Sequence, residues 1–72
     1  MIRVTVAVQG RLQGRANAGP EEQSFEMPDG SRVRDLLTIV GLLEEEVKRV
    51  SVNGRRGRLD SSLRPRDSVE FA

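Results

Sequence analysis

The chain has 72 residues, with twelve Lys and Arg against eleven Asp and Glu and a formal charge of +1. That length supports one small domain spanning 1–72, and so even a balance argues against a nucleic-acid or membrane binder acting through bulk charge. Cysteine and histidine are both missing, which excludes disulfides, thiolate-held metals, the commonest general base and the commonest neutral metal ligand, so neither an enzyme nor a resident cofactor is expected.

Ile2, Val4, Val6 and Val8 are apolar while Arg3, Thr5 and Gln9 are not, the period-two pattern of a strand with one buried face. The same alternation rules out an apolar leader, and no apolar run reaches membrane-spanning length, so the protein is expected to be soluble and cytoplasmic. From Gly10 to Glu22, glycines, Pro20, Asn17 and charges replace any periodicity, predicting a long exposed loop. The glycines of Gly10 to Gly14 do not make a phosphate cradle, because a polar loop and a strand follow them instead of a helix. Gln23 to Pro28 alternates again through Phe25 and Met27, and Pro28-Asp29-Gly30 supplies turn chemistry.

Val33, Leu36, Leu37 and Val40 stand at i, i+3, i+4 and i+7, which predicts a helix over residues 32–40 with Ser31 as N-cap and Gly41 closing it. Arg34 then occupies the position where a capping box takes Glu. Leu42 to Val47 reads as an irregular turn whose Glu44-Glu45-Glu46 run is a solvated face. Val50 and Val52 form a third strand ending at Asn53-Gly54, a hairpin dipeptide tolerant of positive φ. A short segment holds Leu59 and Leu63, Asp60 and Asp67 read as turn residues, and Val69 and Phe71 alternate along a last strand.

This order gives an α+β fold, one helix across a mixed sheet of four or five strands. Ile2, Val4, Val6, Val50, Val52, Val69 and Phe71 then face the helix, with Leu37 packed against them, while Arg3, Thr5, Ala7, Arg49, Ser51 and Glu70 form a polar open face. Charge is uneven along the chain: Lys48, Arg49, Arg55, Arg56, Arg58, Arg64 and Arg66 fall in one stretch opposed only by Asp60. A solvated basic hairpin is the ordinary reading of such a run, an anionic protein partner the next, and RNA the last. Both aromatic residues, Phe25 and Phe71, fall on strand positions expected to be buried, which leaves no stacking platform for bases.

The segments Phe25 to Leu37, Gly41-Leu42, Val50 to Gly54 and Leu63 to Phe71, in that order and spacing, resemble the ubiquitin-like β-grasp sulfur carriers of the MoaD/ThiS family. The long loop after the first strand is the more MoaD-like feature. The resemblance implies a carrier for thiamine or molybdopterin-type cofactor biosynthesis that meets two partners, an adenylating enzyme and a sulfur-acceptor synthase. Candidate partner-binding residues are Arg55, Arg56, Arg58, Arg64 and Arg66, with Glu70 and Ala72 on the last strand. Two departures stand out. Arg66 takes the place of the glycine usual before the Asp, so either the turn changes or arginine adopts positive φ. The sequence also stops at Ala72, short of the Gly-Gly tail whose carboxylate carries sulfur in such proteins. A sulfur carrier lacking its tail here and a non-catalytic ubiquitin-like binding module are therefore both open, with an RNA-binding domain behind them.

Overall fold

A computed structural model describes residues 1–10, 12 and 22–72; the predicted loop between Gly10 and Glu22 lies mostly outside them. In chain order the elements are β1 (Ile2–Val8), β2 (Gln23–Met27), α1 (Val33–Val40), a 3-10 turn at Glu44–Glu46, β3 (Val50–Val52), β4 (Arg55–Arg56) and β5 (Ser68–Phe71). The strands form one sheet in the order β2-β1-β5-β3-β4. β1 and β5 are parallel in its middle, and the other three pairings are antiparallel. Parallel neighbours need a long crossover between them, and here α1 supplies it by lying across one face. One helix held by a five-stranded mixed sheet is the β-grasp arrangement.

The core is the meeting of two patterns. Val33, Leu36, Leu37 and Val40 are buried along one stripe of α1, and Val4, Val6, Val8, Val69 and Phe71 are fully shielded beneath it. The helix begins one residue later than its periodicity predicts, and Arg32, not Ser31, is its N-cap. The hydroxyl of Ser31 is committed elsewhere, donating to the Pro28 carbonyl at 2.6 Å. Arg32 is extended and donates its N–H to Asp35 Oδ2 at 2.8 Å, so the acidic half of a capping box forms one residue downstream of the predicted site. At the other end Gly41 takes φ 80 and, with Leu42, donates its N–H to the Leu37 carbonyl.

Four burial expectations are corrected, the first at Phe25, which is only half-buried because it lies on the edge strand β2. Val52 is only half-buried: it stands at the last register position before the β3–β4 turn, with the exposed Arg55 of the two-residue edge strand as one of its partners. Ala7, expected on the open face, is 4% exposed: a lone methyl opposite the far longer Glu70 of β5 reaches little solvent. Leu12, inside the stretch expected to be an exposed loop, is 2% exposed and joins the core, as a single leucine in a polar segment gains by docking on apolar surface. No helix among the described residues is long and apolar enough to cross a membrane.

Candidate functional site

Two surface regions gather most of the basic residues that the sequence singled out, and local backbone chemistry explains both.

The first is a concave groove of about 680 Å³ at the β4 edge of the sheet. It is lined by Arg34, Val47, Lys48, Arg49, Val50, Arg56, Gly57, Arg58, Leu59 and Asp60. The opening turn of α1 forms one wall. A helix start leaves N–H groups without partners, and here Val33 donates to the Ser61 carbonyl at 3.0 Å and Arg34 to the Leu59 carbonyl at 2.8 Å. These bonds dock residues 59–61 on the helix and carry Arg34 to the groove. The opposite wall follows from the hairpin: Asn53 and Gly54, at φ 54 and 79, make the tight turn that returns the chain as β4, and Gly57 extends the pairing by donating to the Val50 carbonyl at 2.8 Å. Gly57 is needed there because a Cβ would lie 2.8 Å from Val52 Cγ2 and 3.4 Å from Val50 Cγ1. Arg58 and Ser61 close a turn on each other, with Arg58 N–H donating to Ser61 Oγ at 3.2 Å and Ser61 N–H to the Arg58 carbonyl at 3.1 Å, which places Asp60 in a turn as expected.

The second region is the turn at residues 64–67. Arg66 has φ 68, so of the two outcomes left open by its replacement of glycine, the left-handed arginine is the one observed. Such a conformation costs an L-residue about 1 kcal/mol or more and persists only where the surroundings impose it. The surroundings here are specific. Arg66 N–H donates to the Arg3 carbonyl at 2.8 Å, and Arg64 N–H donates to Asp67 Oδ2 at 2.9 Å. Asn53 Nδ2 donates to Asp67 Oδ1 at 2.9 Å, while Asn53 Oδ1 accepts from Ser68 N–H at 2.9 Å. Asn53 and Asp67 thus tie the hairpin tip to the last turn, and the buried Asp67 is a structural carboxylate.

The sequence-level candidates therefore separate in space. Arg56 and Arg58 line the groove. Arg55 faces Val52 across the hairpin, one register position from the Ser51–Arg56 pair, and so projects to the other face of the strand. Arg64 and Arg66 are exposed on the second region, and Glu70 is exposed on the open face opposite Ser51. Ala72 is held at the strand end: its N–H donates to the Arg49 carbonyl at 2.9 Å, and its carbonyl accepts from Lys48 at 2.8 Å and Arg49 at 2.9 Å. Sequence reading missed Arg34 as a groove residue, since its position in a helical run gave no hint that residues 59–61 would dock beside it. On the open face Arg3 pairs with Glu26 at 3.1 Å.

No family model matches the chain, and no curated protein matches it. Among solved structures, the chain is similar to a Pyrococcus furiosus protein provisionally named molybdopterin converting factor, subunit 1. The two are 25% identical, with a TM-score of 0.74 over 99% of this chain and 95% of that one.

Proposed function

We propose that residues 1–72 form one β-grasp domain serving as the folded body of a MoaD-like sulfur carrier in the cytoplasm, with no catalytic group or cofactor of its own. The observation that carries this reading is the agreement of shape over 99% of the chain, at a TM-score of 0.74 and 25% identity, with a protein named as a molybdopterin converting factor subunit. That name favours the molybdopterin-type pathway over thiamine and supports a synthase subunit as one partner. The adenylating enzyme is proposed from the family resemblance.

In this chemistry the carrier's terminal carboxylate attacks the α-phosphate of ATP and pyrophosphate leaves, and hydrosulfide then attacks the acyl carbon, displacing AMP to give the thiocarboxylate. A narrow passage to the reacting centre suits glycine, which has no side chain to obstruct it. The domain contributes recognition, and its last strand fixes the root of a tail: the Ala72 backbone is bonded on both its N–H and its carbonyl.

The test incubates this chain with an adenylating enzyme, ATP and a sulfur donor, beside a version extended by a tail ending in Gly-Gly, and reads both by intact mass. Thiocarboxylate on the extended chain alone is the expected result. Docking of the extended chain without any adenylate or thiocarboxylate would transfer support to a non-catalytic protein-binding module, the reading that the open basic groove favours.

A further inference from the structure

We propose that the groove between α1, residues 47–50, β4 and residues 57–60 is a docking site for a short acidic segment of a partner protein, one carrying an aliphatic side chain among its carboxylates.

Charge is the first argument. Arg34, Lys48, Arg49, Arg56 and Arg58 line the groove, Arg49 and Arg56 from the open-face side of the sheet edge, with Asp60 the sole carboxylate among the described residues that line it, although the chain as a whole carries only +1. The ion pairs among the described residues lie elsewhere and use none of these cations. This concentration is built by the fold and not by one sequence run, since it unites a helix turn, a strand entry and a hairpin. Side chains of one sign held around a concave surface set up a local potential that attracts the opposite charge.

The floor decides the kind of partner. Val47, Val50 and Leu59 line the groove between the cations, and Val47 and Leu59 remain half-exposed. A peptide of Asp and Glu with one leucine, isoleucine or valine meets both features at once, whereas a phosphodiester chain offers nothing apolar to that floor. Bases would need a stacking surface, yet Phe71 is fully buried and Phe25 lies on β2, at the opposite edge of the sheet. The protein's own exposed Leu43, at 58%, followed by Glu44 and Glu45, has the same chemistry, so a second copy is the occupant that the test must distinguish.

The probe is a fluorescein-labelled eight-residue peptide of Glu and Asp with a central Leu, titrated with the whole chain at low salt and followed by anisotropy. Arg34→Ser and the double variant Arg56→Ser/Arg58→Ser are expected to weaken binding by about tenfold or more, and replacing the peptide's Leu with Ser by several-fold. Arg55→Ser removes the same charge from the same hairpin but outside the groove, and is expected to stay within about twofold. Equal losses from Arg55→Ser and Arg56→Ser would reduce the effect to bulk charge and overturn the proposal. So would no binding at all, or displacement by oligouridylate at lower concentrations than by unlabelled peptide. Concentration-dependent sedimentation of the chain alone, abolished by Glu44→Lys/Glu45→Lys, would give the groove to a second copy instead. Unchanged denaturation midpoints of the variants keep lost binding separate from lost fold.

Discussion

The middle of the sheet and its β4 edge belong to one hydrogen-bonded sheet and end up with opposite properties. Along β1 and β5, Val4, Val6, Val8, Val69 and Phe71 are fully shielded. Along β3 and β4 only Val50 is buried, Ser51 and Val52 are half-buried, and Arg55 and Arg56 are exposed. Position in the sheet accounts for the difference. β3 still has a strand on each side, but β4 has β3 as its one neighbour, and an edge strand must be blunted with short length and charge to discourage pairing with other chains. A two-residue β4 made of two arginines does both. In a protein this small, stability collects in the middle, and the edge is left to interact.

The largest test of that division lies in the middle. Phe71→Ala should cost about 3–5 kcal/mol and Leu37→Ala about 2–5 kcal/mol, either of which threatens a domain of this size. Val52→Ala, on β3 beside the edge strand, should cost about 1 kcal/mol, since its side chain is only partly buried. Denaturant midpoints measured on the three variants rank them directly, and a Val52→Ala loss as large as that of Leu37→Ala would break the comparison.

Next in size is the link between the regions. Asn53→Ala removes the hydrogen bonds to Asp67 and from Ser68 and leaves alanine at φ 54, an expected loss of about 2 kcal/mol. Fast amide exchange at Ser68 in that variant would locate the loss in the last turn. At Arg66 the sign reverses. Glycine accepts φ 68 without strain, so Arg66→Gly should stabilise by about 0.5–1 kcal/mol after the greater freedom of the unfolded chain is counted. A lower midpoint for Arg66→Gly would mean that the arginine side chain contributes more than its backbone costs.

What was legible in the sequence follows the same division. The strands and helix of the middle announce themselves because one buried face forces a period of two in β1 and of 3.6 in α1. The Asn53-Gly54 turn is legible because few residues accept its angles. Misplaced features depend on contacts distant in sequence or on competing local ones. Ser31 looked like the N-cap, but its hydroxyl had a nearer acceptor in Pro28. Arg34 joined the groove only because the helix start found carbonyls at Leu59 and Ser61. The basic residues from Lys48 to Arg66 read as one run, yet strand alternation and two separate turns divide them, and no pattern in composition encodes that.

The smallest expected effect is the sharpest test of the edge. Replacing Arg55, Arg56 and Arg58 together with Ser removes three cations from a hairpin and the residues that follow it. All three are exposed and form no ion pair among the described residues, so no buried partner is left unsatisfied. Two smaller terms oppose each other: relief of repulsion with Arg34, Lys48 and Arg49 favours the variant, and loss of long aliphatic stems from the groove that Leu59 also lines disfavours it. The midpoint should therefore move by less than about 0.5 kcal/mol. The backbone has reason to hold as well, since the hairpin is fixed by Asn53, Gly54 and the bond from Gly57 to Val50, none of which the substitutions touch. A loss above about 1 kcal/mol would show that the arginine stems are structural, and would place the β4 edge with the middle of the sheet instead of against it.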